Sequence, residues 1–136
     1  MSVRSFFDTN VLIYADDQGA PAKQRRALEL IAEHRRAGTG VVSFQVLQEY
    51  FVAVTRKLRV DAAIARRKIE LLAELDVASL ELADILAAID LLRLHSLSFW
   101  DALIIRSAKQ AGCRILFTED MQPRDVEGVR LVNPFR

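Results

Sequence analysis

Four acidic residues stand where alternating strands and helices would gather them. Asp8 closes a short apolar run in Asp8-Thr9-Asn10, and Asp120 follows another in Thr118-Glu119-Asp120. Glu49 falls two turns into a helical segment after a second apolar run, and Asp101 in the first turn of the last long helical segment. Carboxylate oxygens with no histidine or thiolate beside them suit a hard cation, Mg²⁺ or Mn²⁺. Such a cation activates water, orients a phosphodiester and stabilises the leaving oxygen, and a pair about 4 Å apart is a common nuclease arrangement. Gathered acids without a cation repel one another near neutral pH. Each acid also has a structural explanation. Asp101 lies three residues after Ser98, the capping-box spacing. Asp8 can cap the turn after its strand, Asp120 can hold a loop through an Asx turn, and Glu49 can be a surface helix residue.

The elements that must position these acids follow from apolar spacing. Ser5 to Phe7, Gly40 to Val42, Arg114 to Phe117 and Val129 to Val132 read as short strands, the last at the sheet edge. Pro21 opens a helix with Leu28, Ile31 and Ala32 as its stripe, closed at Gly38. Ser43 is placed to cap the helix of Val46, Leu47, Tyr50, Phe51 and Val54. Asp61 caps another containing Ile64, Leu71, Leu72 and Leu75; a further one carries Leu82, Ile85, Leu86, Ile89, Leu92 and Leu94. The last runs from Phe99 to Ala111 before Gly112. Short strands separated by helices predict an α/β fold with a parallel sheet, whose ligands bind beyond the carboxyl ends of the strands.

With 136 residues, no repeat and no Pro/Gly-rich linker, one domain over 1–136 is expected. Apolar residues at 51% and charged residues at 27% exclude a disordered or fibrous chain. One cysteine, Cys113, excludes an internal disulfide, and with only two histidines a structural zinc site is not expected. The first apolar stretch, Val3 to Phe7, is too short for a signal-peptide core, and no run is long enough to span a membrane. The expectation is a soluble cytoplasmic protein with no membrane partner.

The net charge of +1 conceals a gradient: twelve Lys+Arg against eight Asp+Glu in residues 1–70, then seven against ten in 71–136. The cluster Arg56, Lys57, Arg59, Arg66, Arg67 and Lys68 can meet phosphates or form a solvated helical surface. Trp100 can stack on a base, but its spacing with Leu103 and Ile104 favours core or interface. Tyr14 and Tyr50 are open. His34, His95 and Cys113 are assigned no chemistry.

Taken in order, Phe7-Asp8-Thr9-Asn10-Val11-Leu12, Ser43 with Gln48-Glu49, Ser98-Phe99-Trp100-Asp101-Ala102-Leu103-Ile104 and Thr118-Glu119-Asp120 resemble the PIN-domain family of small metal-dependent ribonucleases. The resemblance spans essentially the whole chain. It is strongest to the toxin-type, VapC-like members of type II toxin–antitoxin pairs, helped by Thr55-Arg56-Lys57-Leu58 and Asn133-Pro134-Phe135. It implies a three-layer α/β/α domain with a short central parallel sheet flanked by helices. It implies an endoribonuclease that hydrolyses RNA phosphodiester bonds with metal-activated water. Asp8, Glu49, Asp101 and Asp120 match the catalytic, metal-binding acids, with Mg²⁺ or Mn²⁺ as cofactor. Asn10, Thr118 and Ser43 match supporting positions, and Glu119 can replace or assist Asp120. Arg25, Arg26, Arg56 and Lys57 are candidate RNA contacts. A cognate antitoxin and a homodimer are the implied partners. The stretch Met121-Gln122-Pro123-Arg124 departs from the family, where a glycine is usual, and suggests a stiffer loop beside the RNA.

Rival readings differ in chemistry. Aspartyl-phosphate phosphatases need a second Asp where this chain has Asn10, and receiver domains need a phospho-accepting Asp after a middle strand, where this chain has Val42-Ser43. A non-catalytic RNA- or partner-binding module, with the acids as caps, is the alternative.

Overall fold

The computed structural model describes residues 3–136. Strand β1 (Ser5–Phe7) leads into the short helix α1 (Thr9–Tyr14), followed by α2 (Pro21–Ala37), β2 (Gly40–Ser43), α3 (Phe44–Arg56), α4 (Ala62–Leu72) and β3 (Asp76–Ala78). Then come α5 (Leu82–His95), α6 (Phe99–Gln110), β4 (Ile115–Phe117), β5 (Asp125–Val126) and β6 (Val129–Val132). The strands form one sheet in the order β3-β2-β1-β4-β6-β5, parallel throughout except for the β5–β6 pair. Helices flank it: α2 and α3 pack on β2, α6 packs on β4 and β6, and α5 lies against α6. This is the α/β architecture expected from the sequence.

β1 is the strand that everything surrounds. Ser5, Phe6 and Phe7 are all fully buried, with β2 on one side and β4 on the other, as a central parallel strand covered on both faces requires. Phe6, Phe7, Val41, Val42, Leu116 and Leu131 form the middle of the core. The β1–β4 register sets Phe7 beside Phe117, so the next residues, Asp8 and Thr118, emerge side by side at the carboxyl end of the sheet. Gly40 opens β2 where an added Cβ would stand 2.8 Å from Leu75 Cδ2 and 3.2 Å from His34 Cβ, so a larger residue would have to displace the Leu75 side chain.

Several elements depart from the spacing argument. The buried face of α2 is Ala27, Leu30, Ile31 and His34, while Leu28 is exposed. Pro21 does start this helix, and Gly38, at φ +70°, ends it. Ile64 is exposed on α4, and Leu75 lies past its end, buried in the loop before β3. α5 buries only Asp84, Ala88 and Leu91 and leaves Leu82, Ile85, Leu86, Ile89 and Leu94 on the surface. β6 is not an edge strand, because β5 pairs with it on the far side. That hairpin turns through Glu127 (φ 49°) and Gly128 (φ 91°), the two positive φ values of a type I′ turn. α1, β3 and β5 had no counterpart in the sequence reading. No helix among the described residues is long and apolar enough to cross a membrane.

Candidate active site

Asp8 begins the site. It is the N-cap of α1, and its Oδ1 accepts from the Thr9 amide at 2.7 Å. Its Oδ2 accepts from the Thr118 hydroxyl at 2.8 Å and from Asn10 Nδ2 at 3.3 Å. The carboxyl is only 8% exposed. Burial, together with the nearby carboxylates of Asp120 and Glu49, outweighs the Thr118 and Thr9 hydrogen bonds and pushes it up to about 6.

Asn10 ties the two ends of the chain together. Its Nδ2 donates to Asp8 and, at 3.1 Å, to Asp120 Oδ2; its Oδ1 accepts from the Glu119 amide at 3.0 Å. One amide side chain therefore holds two like-charged groups that would otherwise separate. Glu49, on α3, accepts from the Thr9 hydroxyl at 2.7 Å and from Gln45 Nε2 at 3.4 Å. Asp101 follows Ser98, whose hydroxyl caps α6 by accepting from the Asp101 amide at 3.1 Å. The Asp101 carboxylate itself has no hydrogen-bond partner among the described residues, so the cap is made by Ser98 and the acid is left for other use. Glu119 lines the same cavity as these acids, but its carboxylate is already engaged. It is bound by Tyr14 at 2.7 Å and by Lys23 at 2.6 Å, and desolvation notwithstanding, these two partners hold its carboxyl below the usual range.

Asp8, Glu49, Asp101 and Asp120 all line one open cavity of about 1010 Å³, with Thr9, Asn10, Trp100, Arg56 and Lys57. No histidine or cysteine lines it among the described residues, so its donors are carboxylate and amide oxygens of the kind a hard divalent cation takes. Burial first, and then the neighbouring carboxylates, raise Asp8, and both penalties on its charged form are ones a cation would offset. By donor type the residues fit Mg²⁺ or Mn²⁺. Among the described residues no three acids already converge into a ligand group, so holding a cation requires the acids to draw in around it.

The remaining sequence candidates separate clearly. Thr118 is buried behind Asp8, which it braces. Ser43 is buried and caps α3 through the Val46 amide, away from the cavity wall. Arg56 and Lys57 reach the cavity, whereas Arg25 is an exposed α2 residue outside it and Arg26 donates to the Pro134 carbonyl. Arg66 and Arg67 pair with Glu70, and Lys68 pairs with Asp16, so the basic cluster does not face one way. Trp100 is not core: it is 62% exposed on the cavity wall, because Ala102, Leu103, Ile104 and Ile105 fill the buried side of α6. The Met121–Arg124 loop stays clear of the cavity, with Met121 buried and Arg124 donating to the His95 carbonyl. The sequence reading missed Gln45 and Asp16. Gln45 stands one turn before Glu49, a spacing that could have been read; Asp16, bonded to Tyr50 and Lys68, carries no such signal.

The sequence profile described as PIN domain matches residues 5–129. No curated protein matches the chain at a significant level. Among solved structures, it is similar to the Mycobacterium tuberculosis VapC20, a sarcin–ricin-loop-cleaving toxin, with 24% identity, a TM-score of 0.70, and 85% of this chain and 89% of that one covered. It is also similar to a toxin–antitoxin complex from Klebsiella pneumoniae, with 19% identity, a TM-score of 0.70, and 96% and 97% covered. At these identities the likeness concerns the fold.

Proposed function

This chain belongs to the PIN domain family, and from its acidic cavity we propose that it is a metal-dependent endoribonuclease, the toxin of a toxin–antitoxin pair. The observation that carries the reading is the meeting of Asp8, Glu49, Asp101 and Asp120, from four separate segments of the chain, in one cavity bordered by Arg56 and Lys57. Both solved relatives support it by description, one as an RNA-loop-cleaving toxin and one as a toxin with its antitoxin.

Asp8, Glu49, Asp101 and Asp120 would hold Mg²⁺ or Mn²⁺, which when bound supplies Lewis acidity at the phosphoryl group and lowers the pKa of the attacking water. Thr118, the Thr9 amide and Asn10 fix the Asp8 oxygens, and Asn10 fixes Asp120 as well. The Thr9 hydroxyl and Gln45 orient Glu49. Arg56 and Lys57 bind flanking phosphates. Hydrolysis adds water to phosphorus and releases the ribose oxygen, which leaves with a proton. Among the described residues, the cavity lining holds no cysteine, histidine or serine. The place of action is the cytoplasm, where RNA and antitoxin would both be met. A second copy of the chain is the other proposed partner, through the exposed apolar row of α5.

The test is cleavage of total cellular RNA by partner-free protein with Mg²⁺, Mn²⁺ or chelator. Discrete products that need metal and vanish in Asp8→Asn and Asp101→Asn are expected; their absence in a folded preparation overturns the reading. The alternative, a non-catalytic RNA- or partner-binding module, draws on the open spacing of the acids. It predicts RNA or partner binding that persists in chelator and in both variants.

A further inference from the structure

We infer that Trp100 is the platform on which a base next to the scissile phosphate stacks; this rests on the nuclease reading above. A tryptophan buries more apolar surface than almost any other side chain when it packs inward. Here it is 62% exposed, on the wall of the acidic cavity. Its ring is not loose. Phe99 meets it edge to face, with centroids 5.2 Å apart and planes at 68°, and Phe99 packs in turn against the core. Trp100 and Asp101 are consecutive residues in the first turn of α6, so ring and acid are set relative to each other by one helix.

The rest of the cavity has the complementary chemistry. Ile13, Val52, Leu58 and Ile104 give it an apolar wall, and Arg56 and Lys57 form no ion pair among the described residues. A ligand that suits all three features is anionic along its length and carries flat apolar groups: a nucleotide chain. In an A-form duplex the bases are already stacked on one another and offer no free face, whereas unpaired bases can be splayed onto an aromatic side chain. Every base has such a face, so the ring selects for unpaired structure and tolerates any base.

Trp100 is the sole tryptophan of the chain, so its emission reports on the ring directly. Asp8→Asn protein with Mg²⁺ would be titrated with a single-stranded oligouridylate, an abasic oligoribonucleotide of equal length and a blunt RNA duplex. Saturable quenching by the oligouridylate alone is expected. In the cleaving protein, Trp100→Ala should raise KM for single-stranded RNA roughly 5- to 150-fold, the range for loss of one stacked base. The same variant should change kcat little, and Trp100→Phe should recover part of the KM. Equal quenching by the abasic oligomer, no response to any probe, or an unchanged KM in Trp100→Ala would overturn the inference. So would a blue-shifted emission that ignores RNA in a protein running as a dimer, which would place the ring in a protein interface. Quenching by oligouridylate with no metal-dependent cleavage would instead sink the nuclease reading and leave the stacking site in place.

Discussion

Asp8 is held in a state that works against the fold. Its carboxyl keeps its proton in the folded chain up to about pH 6, against an ordinary value of 3.8. The folded state therefore binds more protons than the unfolded state between those limits. In metal-free protein, this group's contribution is most favourable below about pH 4 and is lost as pH rises to about 6, by at most about 3 kcal/mol. Because Asp84, Glu119 and Glu127, held below their usual range, add stability as pH rises in both proteins, urea midpoints measured in chelator should gain less between pH 4 and pH 6 in the wild type than in Asp8→Asn. At neutral pH, Mg²⁺ should raise the wild-type midpoint and leave Asp8→Asn unmoved, as expected of a ligand that binds only the folded wild type. At α6 the roles of neighbouring residues separate. Ser98→Ala should cost about 1 kcal/mol, the usual loss for an N-cap, and keep cleavage. Asp101→Asn should do the opposite, abolishing cleavage with an unchanged midpoint, since its carboxylate caps nothing. The four acids were legible in the sequence because they follow strand ends and helix starts. The bond of Thr118 to Asp8 spans 110 residues and depends on the β1–β4 register, which spacing cannot supply, whereas that of Asn10 spans only two residues and is local.

At the scale of elements, α4 is tied to the rest of the molecule by a small polar knot. Tyr50 on α3 donates to Asp16 in the loop after α1, and Lys68 on α4 pairs with the same carboxylate at 2.5 Å. Burial, and then the Asp16 hydrogen bond, raise the Tyr50 hydroxyl far above its ordinary range, so it remains a donor at any physiological pH. Tyr50→Phe should cost about 2 kcal/mol, in line with a hydrogen bond to a charged group. Amide exchange should quicken in α4 while β1 and β4 stay protected. The helices were legible because their caps were: Ser43, Asp61 and Ser98 each accept from the amides that their positions predicted. β3 and β5 were not, since Asp76–Ala78 and Asp125–Val126 each begin on an exposed acid and hold no buried apolar run like that of β1. Their pairing comes from neighbours, β2 for the first and the Glu127–Gly128 turn for the second. The apolar residues read as one helix do lie on α5, but which of its faces is buried was not legible. Leu82, Ile85, Leu86 and Ile89 have the spacing of a core stripe, but the helix rests on α6 through Ala88, Leu91 and the Arg106–Asp84 bridge, leaving the row outside.

For the molecule as a whole, that row is an exposed apolar surface, the face through which the proposed pairing with a second copy would run. Leu86→Glu should leave the midpoint within about 0.5 kcal/mol, as for most surface substitutions. It should also shift the protein toward monomer in sedimentation or light scattering; a wild type that is already monomeric would remove the homodimer from the reading. The sheet order explains why the acids meet where they do. Successive strands run outward from β1 in two directions, β2 and β3 to one side and β4, β6 and β5 to the other. Such a reversal opens a crevice beside the first strand's carboxyl end, which is where Asp8 and Asp120 stand. The α/β class could be read from alternating strands and helices, but the order of strands could not, because nothing local marks β4 as the neighbour of β1. That same order also has a temporal consequence. β1 is synthesised well before β4, yet it is flanked on both sides only when β2 and β4 are both present. A nascent chain that has reached Gly112 already carries Asp8, Glu49 and Asp101. It lacks Thr118 to brace the first acid, Asp120 to complete the set, and the strand that walls off the core. The cavity therefore comes into being only as the segment from β4 onward folds back onto β1.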